Sequence, residues 1–531
     1  RTYRRWLKEK YGTVDRLNNA WGKNFRGYDE VPLPVDIPGN DRSKSAERTL
    51  FISDKDAEYI DYSLYCSEIM ADRILKLARV AKSLVEDRKL IVFFYGYYFD
   101  LYDSRTGHFS LNKILESPDI DALSSPICYT DRNEGGVGAY MSPVESIHSY
   151  GKLWLVENDL RTFMTVRQSP FFDWVPPIKS LENVIQIYKR EAGSLLVHGT
   201  GCWYMDLFAA GWQAHPLIWK AIRKIKDLVE QNINQTSQLC PDVAVLVDEK
   251  SMAVCAHAEA VGMNLLYKTR LEFYRAGVSF GLYELKDFID GKVPSAKFAI
   301  LFNPFKLDME MANALRRQLD KQNCSVLWMH GLGITPGEAF NLVTGMRINQ
   351  IDGEMLSLKM DVLPQIQVKD NVIVSQKGID IPYILGVGMG NIVQESNPAY
   401  YVEDAKTVLA TYSEGELSGK ISFAVNEKAA FFGGLSLNAD IIMMLASIFG
   451  IHIYNHDKLA MHIGDKVICV HNAEKPNETT IYLKEPKKVC EWTSLDEIIS
   501  ASEKEPMKFI SESNSLTLKM KPFETKLLFL M

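Results

Sequence analysis

The segment GKLWLVENDLRTF, residues Gly151–Phe163, determines how the first half of the chain is interpreted. Its apolar run Leu153–Val156 predicts a buried strand, and Glu157 follows directly at the carboxyl end of that strand. Side chains at the carboxyl ends of parallel strands build the active sites of α/β barrels. Glu157 is therefore a candidate catalytic carboxylate, with a structural ion pair to Arg161 as the alternative.

Helix and strand patterns alternate on both sides of this segment. Helices are predicted over about 53–87, 111–115, 143–150, 181–197 and 216–233, and strands over about 90–95, 120–124, 153–156 and 202–205. Apolar strands separated by helices are typical of a parallel α/β architecture. Four such strands are half of an eight-stranded barrel, so we predict the second half of a TIM barrel over residues 1–235.

Two further regions follow a polar stretch at 232–241 that predicts a linker. Strands over 243–247, 298–302 and 326–329 alternate with helices over 265–276 and 309–319, as in a doubly wound, flavodoxin-like domain, which we place at 241–453. A partly β stretch over 345–412 and a helix over 439–448 complete that domain. From 454 to 531, short β-type runs alternate with turn residues and predict a small β-sandwich.

Other predicted strand ends in the first region carry polar and aromatic side chains. Tyr97 follows the first strand, Tyr129 and Arg132 follow the second, and Trp203 and Asp206 follow the last. A sugar has apolar C–H faces and rings of hydroxyls, so its pocket needs an aromatic platform and charged hydrogen-bonding groups. These residues fit such a pocket, with Trp203 as the platform. For each aromatic residue taken singly, ordinary core packing is the alternative.

Composition narrows the class of protein. The 531 residues are 47% hydrophobic and 24% charged, as in soluble globular proteins, and a net charge of -7 without a Lys/Arg cluster argues against nucleic acid as a partner. No apolar run reaches the roughly 20 residues of a membrane span. The eight cysteines lack metal-ligand spacing, so we expect mostly buried hydrophobic cysteines, no metal and no cofactor. The glycine-rich MHGLGITPG at 329–337 lacks the spacing of phosphate-binding loops.

The start of the chain, RTYRRWLKEKYG, enters amphipathic helical sequence at once, without an initiator Met or an apolar signal segment. A half barrel would also leave two strand edges with unpaired backbone groups. We therefore expect a truncated sequence with further barrel strands before Arg1. The compartment stays open between cytoplasm and periplasm.

Several of these motifs resemble glycoside hydrolase family 42 and related β-galactosidase-like proteins. Trp6–Phe25 is similar to the helix and loop that follow the fourth barrel strand, and GKLWLVENDLRT and GTGCWYMDL resemble strands seven and eight. Pro241–Ser251 resembles the start of the family's trimerisation domain, and Phe449–Lys458 resembles the passage into its C-terminal β-domain. The resemblance covers most of the chain.

The resemblance implies a retaining exo-β-glycosidase, most similar to a β-galactosidase, that forms a homotrimer and acts on a β-galactoside or oligosaccharide. Glu157 would be the nucleophile, Tyr97, Tyr129, Arg132, Arg161, Trp203 and Asp206 would bind substrate, and the general acid/base Glu would precede Arg1. Residues 1–531 alone would then be inactive. The family's cysteine zinc cluster belongs to a preceding region, so no metal is carried over.

Three alternatives stay open at this stage. FYGYYFD and ENDLRTF depart from the sequence of well-known members, which leaves a β-mannosidase or α-arabinosidase specificity possible. A catalytically incomplete sugar-binding or scaffold protein is the second alternative. A nucleotide- or flavin-binding protein, suggested by the second region alone, is the third.

Overall fold

The computed structural model describes residues 2–34, 48–52, 56–85, 88–165, 176–232, 239–362, 394–500 and 505–531. Its α-helices are α1 (Tyr3–Tyr11), α2 (Val14–Trp21), α3 (Ala57–Val85), α4 (Leu111–Leu115), α5 (Val144–Ser149), α6 (Leu181–His198), α7 (Pro216–Asn232), α8 (Ala258–Gly262), α9 (Thr269–Phe273), α10 (Leu285–Ile289), α11 (Met309–Lys321), α12 (Gly337–Thr344), α13 (Ala439–Ile448) and α14 (Asp496–Ser500). A π-helical stretch, Met263–Lys268, joins α8 to α9. Within the described ranges, no helix is long and apolar enough to cross a membrane.

The strands are β1 (Val92–Phe94), β2 (Ala122–Pro126), β3 (Leu153–Asn158), β4 (Gly201–Tyr204), β5 (Val243–Val247), β6 (Phe280–Glu284), β7 (Phe298–Leu301), β8 (Ser325–Met329), β9 (Ile348–Ile351), β10 (Leu356–Ser357), β11 (Met360–Val362), β12 (Glu395–Ser396), β13 (Ala399–Val402), β14 (Thr407–Tyr412), β15 (Ile421–Asn426), β16 (Ala429–Phe432), β17 (Ala460–Ile463), β18 (Val467–His471), β19 (Asn477–Trp492), β20 (Met507–Met520) and β21 (Thr525–Leu530). Most of the predicted linker, 233–238, lies outside the described residues, as does 363–393 of the predicted β stretch.

Strands β1 to β4 form a parallel sheet in which spatial order equals chain order. Helices separate these strands along the chain, so the predicted parallel α/β architecture is confirmed. The two faces of the sheet differ. One face carries fully buried side chains such as Leu123 and Trp154. The other face, which we call the inner face, exposes apolar side chains on β1, β3 and β4: Val92, Phe94, Leu153 and Trp203.

A second, ten-stranded sheet is built around five parallel strands in the spatial order β6-β5-β7-β8-β16. Numbered along the chain, that order is 2-1-3-4-5, one of the common doubly wound arrangements. Every residue of β5 to β8 is buried, as in parallel sheets that are covered on both faces. Antiparallel strands β15, β14 and β11 extend the sheet beyond β16.

The last five strands form one antiparallel sheet in the order β17-β18-β21-β19-β20. The prediction of antiparallel strands is confirmed. The long strands β19 and β20 pair with register shifts, and side chains from all five strands enclose a separate core around Ile468 and Ile481. The described strands therefore belong to one hydrogen-bonded sheet, whereas the sequence predicted the two sheets of a sandwich.

Local sequence signals explain where helices begin and end. The Ser180 hydroxyl accepts a hydrogen bond from the Asn183 amide at the start of α6, and Gly199 ends that helix with φ 65°, which glycine adopts without a steric penalty. The Asn438 side chain caps α13 in the same way. These caps explain why the predicted helix bounds agree with the structure to within a residue at these points.

Candidate active site

The site lies at the carboxyl end of β3, where Glu157 extends the inner face of the first sheet. Glu157 pairs in register with Pro126 of β2 on one side and with Trp203 of β4 on the other. Residues in register on parallel strands point to the same face, so the Glu157 carboxylate and the Trp203 indole are neighbours on the inner face.

The environment of Glu157 favours its neutral form. The side chain is buried, and burial raises the pKa of Glu157 to about 7. The nearby Asp159 charge acts in the same direction, whereas the Arg132 guanidinium lowers the pKa. A carboxyl group with a pKa near neutrality, placed at a strand end, is typical of functional sites.

Arg132 and Asp159 form a buried ion pair beside Glu157. The Arg132 Nη1 donates to Asp159 Oδ1 at 2.5 Å, and the Arg132 side chain is 1% exposed. The guanidinium also lies 4.8 Å from the ring centroid of Tyr129. Burial raises the pKa of Tyr129 to about 12, with a contribution from Asp159. The structure thus brings the predicted Tyr129 and Arg132 together, whereas sequence reasoning missed Asp159, whose only signal was its spacing of two residues from Glu157.

Tyr97 reaches the site from the chain that follows β1. Its ring stacks on His108 at a centroid distance of 4.8 Å, and its backbone amide donates to His108 Nδ1 at 3.4 Å. The pKa of Tyr97 is raised first by burial and then by the Glu157 charge. Burial lowers the pKa of His108 to about 4, so His108 is neutral at pH 7 and its Nδ1 can accept this hydrogen bond. His108 supports Tyr97 and was not predicted from the sequence.

Arg161 lies close enough to Arg132 and Asp159 for both charges to influence its pKa. Its guanidinium sits 5.6 Å from the ring centroid of Trp212, and its pKa is lowered by burial and by the Arg132 charge. The structural alternative predicted an ion pair between Glu157 and Arg161, whereas the positive charge that lowers the pKa of Glu157 is that of Arg132, in the chain that follows β2.

Trp203 and Asp206, predicted together after the last strand, differ in their surroundings. Trp203 is 38% exposed, its Nε1 donates to Ser124 Oγ at 3.3 Å, and its ring meets the edge of Phe94 at 6.2 Å. It therefore offers an accessible aromatic face beside Glu157. The Asp206 carboxylate accepts from the amides of Ala210 at 2.9 Å and Gly211 at 2.8 Å, so it stabilises a turn.

The glycine-rich stretch at 329–337 has a packing role. A Cβ on Gly331 would lie 2.1 Å from the Tyr400 ring, and the Gly331 carbonyl accepts from Trp328 Nε1 at 2.9 Å. The Gly333 amide donates to the Tyr400 hydroxyl at 3.2 Å. These contacts explain Gly331 and Gly333 without a phosphate. In the part of the chain that the structure describes, no three His, Cys, Asp or Glu side chains are grouped to hold a metal ion.

These features define an α/β protein with a carboxylate and an aromatic platform at the ends of parallel strands. Residues 1–115 match the sequence model of the family Glyco_hydro_42, described as beta-galactosidase. The β-galactosidase bgaB of Geobacillus kaustophilus is 33% identical over 90 residues, which span 16% of this chain and 11% of that enzyme. The resemblance to glycoside hydrolase family 42 is thereby confirmed.

Two solved β-galactosidases have a similar fold. The cold-adapted enzyme from Rahnella sp. R3 superposes with a TM-score of 0.62 at 12% identity, covering 100% of this chain and 75% of that one. The β-galactosidase of the haloarchaeon Halorubrum lacusprofundi gives a TM-score of 0.61 at 14% identity, covering 99% of this chain and 75% of its own. At these identities the likeness concerns the fold.

Proposed function

We propose that this protein is a retaining exo-β-glycosidase, most similar in specificity to a β-galactosidase. The observation that carries the proposal is Glu157, a buried carboxyl with a pKa raised to about 7, which lies beside the exposed indole of Trp203 at the end of a parallel strand. The family match over residues 1–115 and the shared fold of two β-galactosidases support the same reaction class.

The proposal interprets β1 to β4 as strands five to eight of a TIM barrel. Their spatial order follows the chain, as in such barrels, and helices separate them. Their inner face exposes Phe94 and Trp203 at 48% and 38%, although apolar side chains fill the interior of a closed barrel. Four further strands would cover this face and pair with the outer edges of β1 and β4.

Residues 1–235 would then be half of the catalytic domain, 241–453 a flavodoxin-like trimerisation domain and 454–531 a C-terminal β-domain. The five parallel strands in the order 2-1-3-4-5 support the second assignment. The single antiparallel sheet around its own core supports an independent third domain. The trimer rests on the family resemblance.

In the proposed mechanism the Glu157 carboxylate attacks the anomeric carbon, and a second carboxyl roughly 5–5.5 Å away protonates the leaving oxygen. A covalent glycosyl-enzyme forms, and water then hydrolyses it with retention. The family resemblance assigns the second carboxyl to a Glu at the end of the fourth barrel strand, outside residues 1–531. The 531-residue chain by itself would therefore not turn over substrate.

Each neighbour of Glu157 has a role in this mechanism. Arg132 favours the ionised nucleophile, which at pH 7 is about half populated when the pKa is about 7. Trp203 would stack against the apolar face of the sugar, while Tyr97, Tyr129 and Arg161 would contact its hydroxyls and hydrogen-bond to the carboxylate. The Asp206 carboxylate already accepts hydrogen bonds from two backbone amides, so its role is to stabilise the turn that follows β4.

The test is Glu157→Gln in the full-length protein. Turnover of an aryl β-galactoside should fall on the order of 10³-fold or more, because the amide cannot act as the nucleophile. Aryl β-mannoside and α-arabinoside should be assayed in parallel to identify the preferred sugar. The matched control is Glu182→Gln on the exposed start of α6, which should leave turnover unchanged.

Near-normal turnover by Glu157→Gln on the preferred substrate would eliminate Glu157 as the nucleophile. Absence of hydrolysis in the wild-type full-length protein, together with binding of sugar that Trp203→Ala abolishes, would instead favour the sugar-binding or scaffold alternative. The open aromatic platform is the observation behind that alternative.

A further inference from the structure

The second region of the chain, residues 241–453, contacts the loop that carries two of the candidate site residues. This loop, 127–143, joins β2 to α5 and contains Tyr129 and Arg132; we call it the β2 loop. The segment that meets it, 267–275, begins at the end of the π-helical stretch and runs through α9; we call it the clamp segment. π-Helical turns often occur at functional sites.

Arg270 is the central residue of the clamp segment and has no exposed surface. Its guanidinium donates to the Tyr140 carbonyl at 2.5 Å and to the Cys128 Sγ at 2.9 Å, so it holds the β2 loop at two points. It also lies 3.4 Å from Asp100 and 4.8 Å from the ring centroid of Phe99, in the chain that follows β1. A single buried cation therefore joins the loops after β1 and β2.

Two neighbours of Arg270 hold the same loop on either side. The Tyr267 hydroxyl donates to Thr130 Oγ1, and Arg275 forms a two-pronged ion pair with Asp131, in which Nη2 lies 2.9 Å from Oδ1. Asp131 has φ 58°, a conformation that non-glycine residues adopt only where the surroundings hold them. Cys128, Thr130 and Asp131 are thus fixed from the second region.

Tyr129 lies between these anchored positions. Its backbone amide hydrogen-bonds to Asp100, the partner of Arg270, and Glu157 and Asp100 both raise the pKa of its phenol. The adjacent Arg132 is held separately, because its carbonyl accepts from Arg190 of α6 at 2.7 Å and its side chain pairs with Asp159. Loss of the clamp contacts would therefore release Tyr129 while Arg132 stays in place.

We infer that Tyr267, Arg270 and Arg275 of the second region are positioning residues that hold the β2 loop, with Tyr129, beside Glu157 and keep water away from the carboxylate. The inference rests on the proposed function for its catalytic consequence, but its structural part does not. The second region then shapes the site directly, in addition to any part in assembly.

The test compares Arg270→Gln with wild type by two measurements. In the 531-residue chain, ¹³C NMR of labelled glutamate, with the Glu157 signal assigned through Glu157→Gln, follows the titration of Glu157. We expect its pKa to fall by at least about half a unit, because burial is the largest cause of the raised value and a released β2 loop admits water. In the full-length protein, KM should rise several-fold with a smaller change in kcat.

A merely structural role for Arg270 would lower the melting temperature and leave both readouts unchanged. Lys189→Gln is the matched control: this buried cation pairs with Asp496 at 3.3 Å, away from the site, and its loss should reduce stability alone. Arg270→Lys keeps the positive charge, so the Glu157 pKa in this variant should lie between the values in Arg270→Gln and in wild type. If Arg270→Gln fails to fold, Tyr267→Phe, which removes one hydroxyl, takes its place.

The outcomes separate the two proposals. A shifted Glu157 pKa in a protein that hydrolyses no glycoside would retain the clamp and reject the proposed function. Hydrolysis by the wild type, combined with an unchanged Glu157 pKa and an unchanged KM in Arg270→Gln or its replacement, would overturn the clamp and leave the function standing.

Discussion

The two parallel sheets of this chain are built from similar apolar strands but differ in how they are covered. In β5 the whole run VAVLV is buried, whereas in β1 the run VFF has two exposed side chains and one half-buried. Phe298 of β7 is 1% exposed and Phe94 of β1 is 48% exposed. Local sequence therefore specifies a strand, but the burial of that strand depends on what packs against each face.

The same contrast holds for the glutamates at the strand ends. Glu284 ends β6, has no exposed surface, and its pKa is raised well above the usual range by burial and then by the Glu249 charge. Glu157 lies in the less completely covered sheet, and its pKa is about 7. Burial thus favours the neutral form of Glu284, whereas the pKa of about 7 leaves Glu157 partly ionised at neutral pH, and the ionised form is the nucleophile.

The largest expected effect tests directly whether the second sheet is more completely buried than the first. Phe298→Ala should lower the free energy of unfolding by about 3–5 kcal/mol, because it leaves a cavity in a closed core. Phe94→Ala in the same chain should lower it by less than about 1 kcal/mol, since the ring is half in water. Urea denaturation of both variants measures this. Equal losses would contradict the distinction between the sheets, and a larger Phe94 loss in the full-length protein would indicate that further strands cover the inner face.

The next effect concerns pH. The folded-state pKa of Glu157, about 7, exceeds the ordinary value of 4.5, so between these pH values the folded chain retains a proton that the unfolded chain has released. The free energy of unfolding should therefore decrease as pH rises through this window, by up to about 3 kcal/mol from this group, and level off above pH 7. Melting curves from pH 4 to 8 should show this slope in wild type and a weaker slope in Glu157→Gln. Identical slopes would mean that Glu157 titrates normally.

The smallest expected effect tests whether Trp203, on the inner face of the first sheet, binds the sugar. Trp203→Phe keeps an aromatic ring but removes the hydrogen bond to Ser124 Oγ and part of the platform. KM for the preferred glycoside should increase by about three- to tenfold, the equivalent of about 1 kcal/mol, with little change in kcat. Steady-state kinetics of the full-length variant measure the change. A decrease in kcat alone would argue that the indole positions Glu157 and does not bind the sugar.

Much of the secondary structure could be predicted because its signals are local. The helices at 111–115 and 439–448 and the strand at 243–247 lie where apolar spacing placed them. The strand FGLYE at 280–284 received no prediction, although it forms the edge of the second sheet beside β5. Its run contains Gly281 and ends in Glu284, so it lacks the continuous apolar pattern of β5, the strand with which it pairs.

The candidate site shows the same division. Sequence placed Glu157 at a strand end and Tyr129, Arg132 and Trp203 at neighbouring ends, and these positions meet because parallel strands end at one edge of a sheet. Asp159 and His108 were missed, since neither has a spacing that distinguishes a pocket residue from a solvated one. Asp206 illustrates the opposite case, in which a residue of suitable type stabilises a turn.

The sequence by itself determined most of the segments that become strands and helices and which carboxylate ends β3, because apolar periodicity and capping act over a few neighbouring residues. Only the tertiary structure decided that Arg270 joins the loops after β1 and β2, that Arg132 pairs with Asp159, and that the inner face is exposed. The burial of Glu157 and the Arg132 charge that lowers its pKa come from separate segments, which only chain folding brings together.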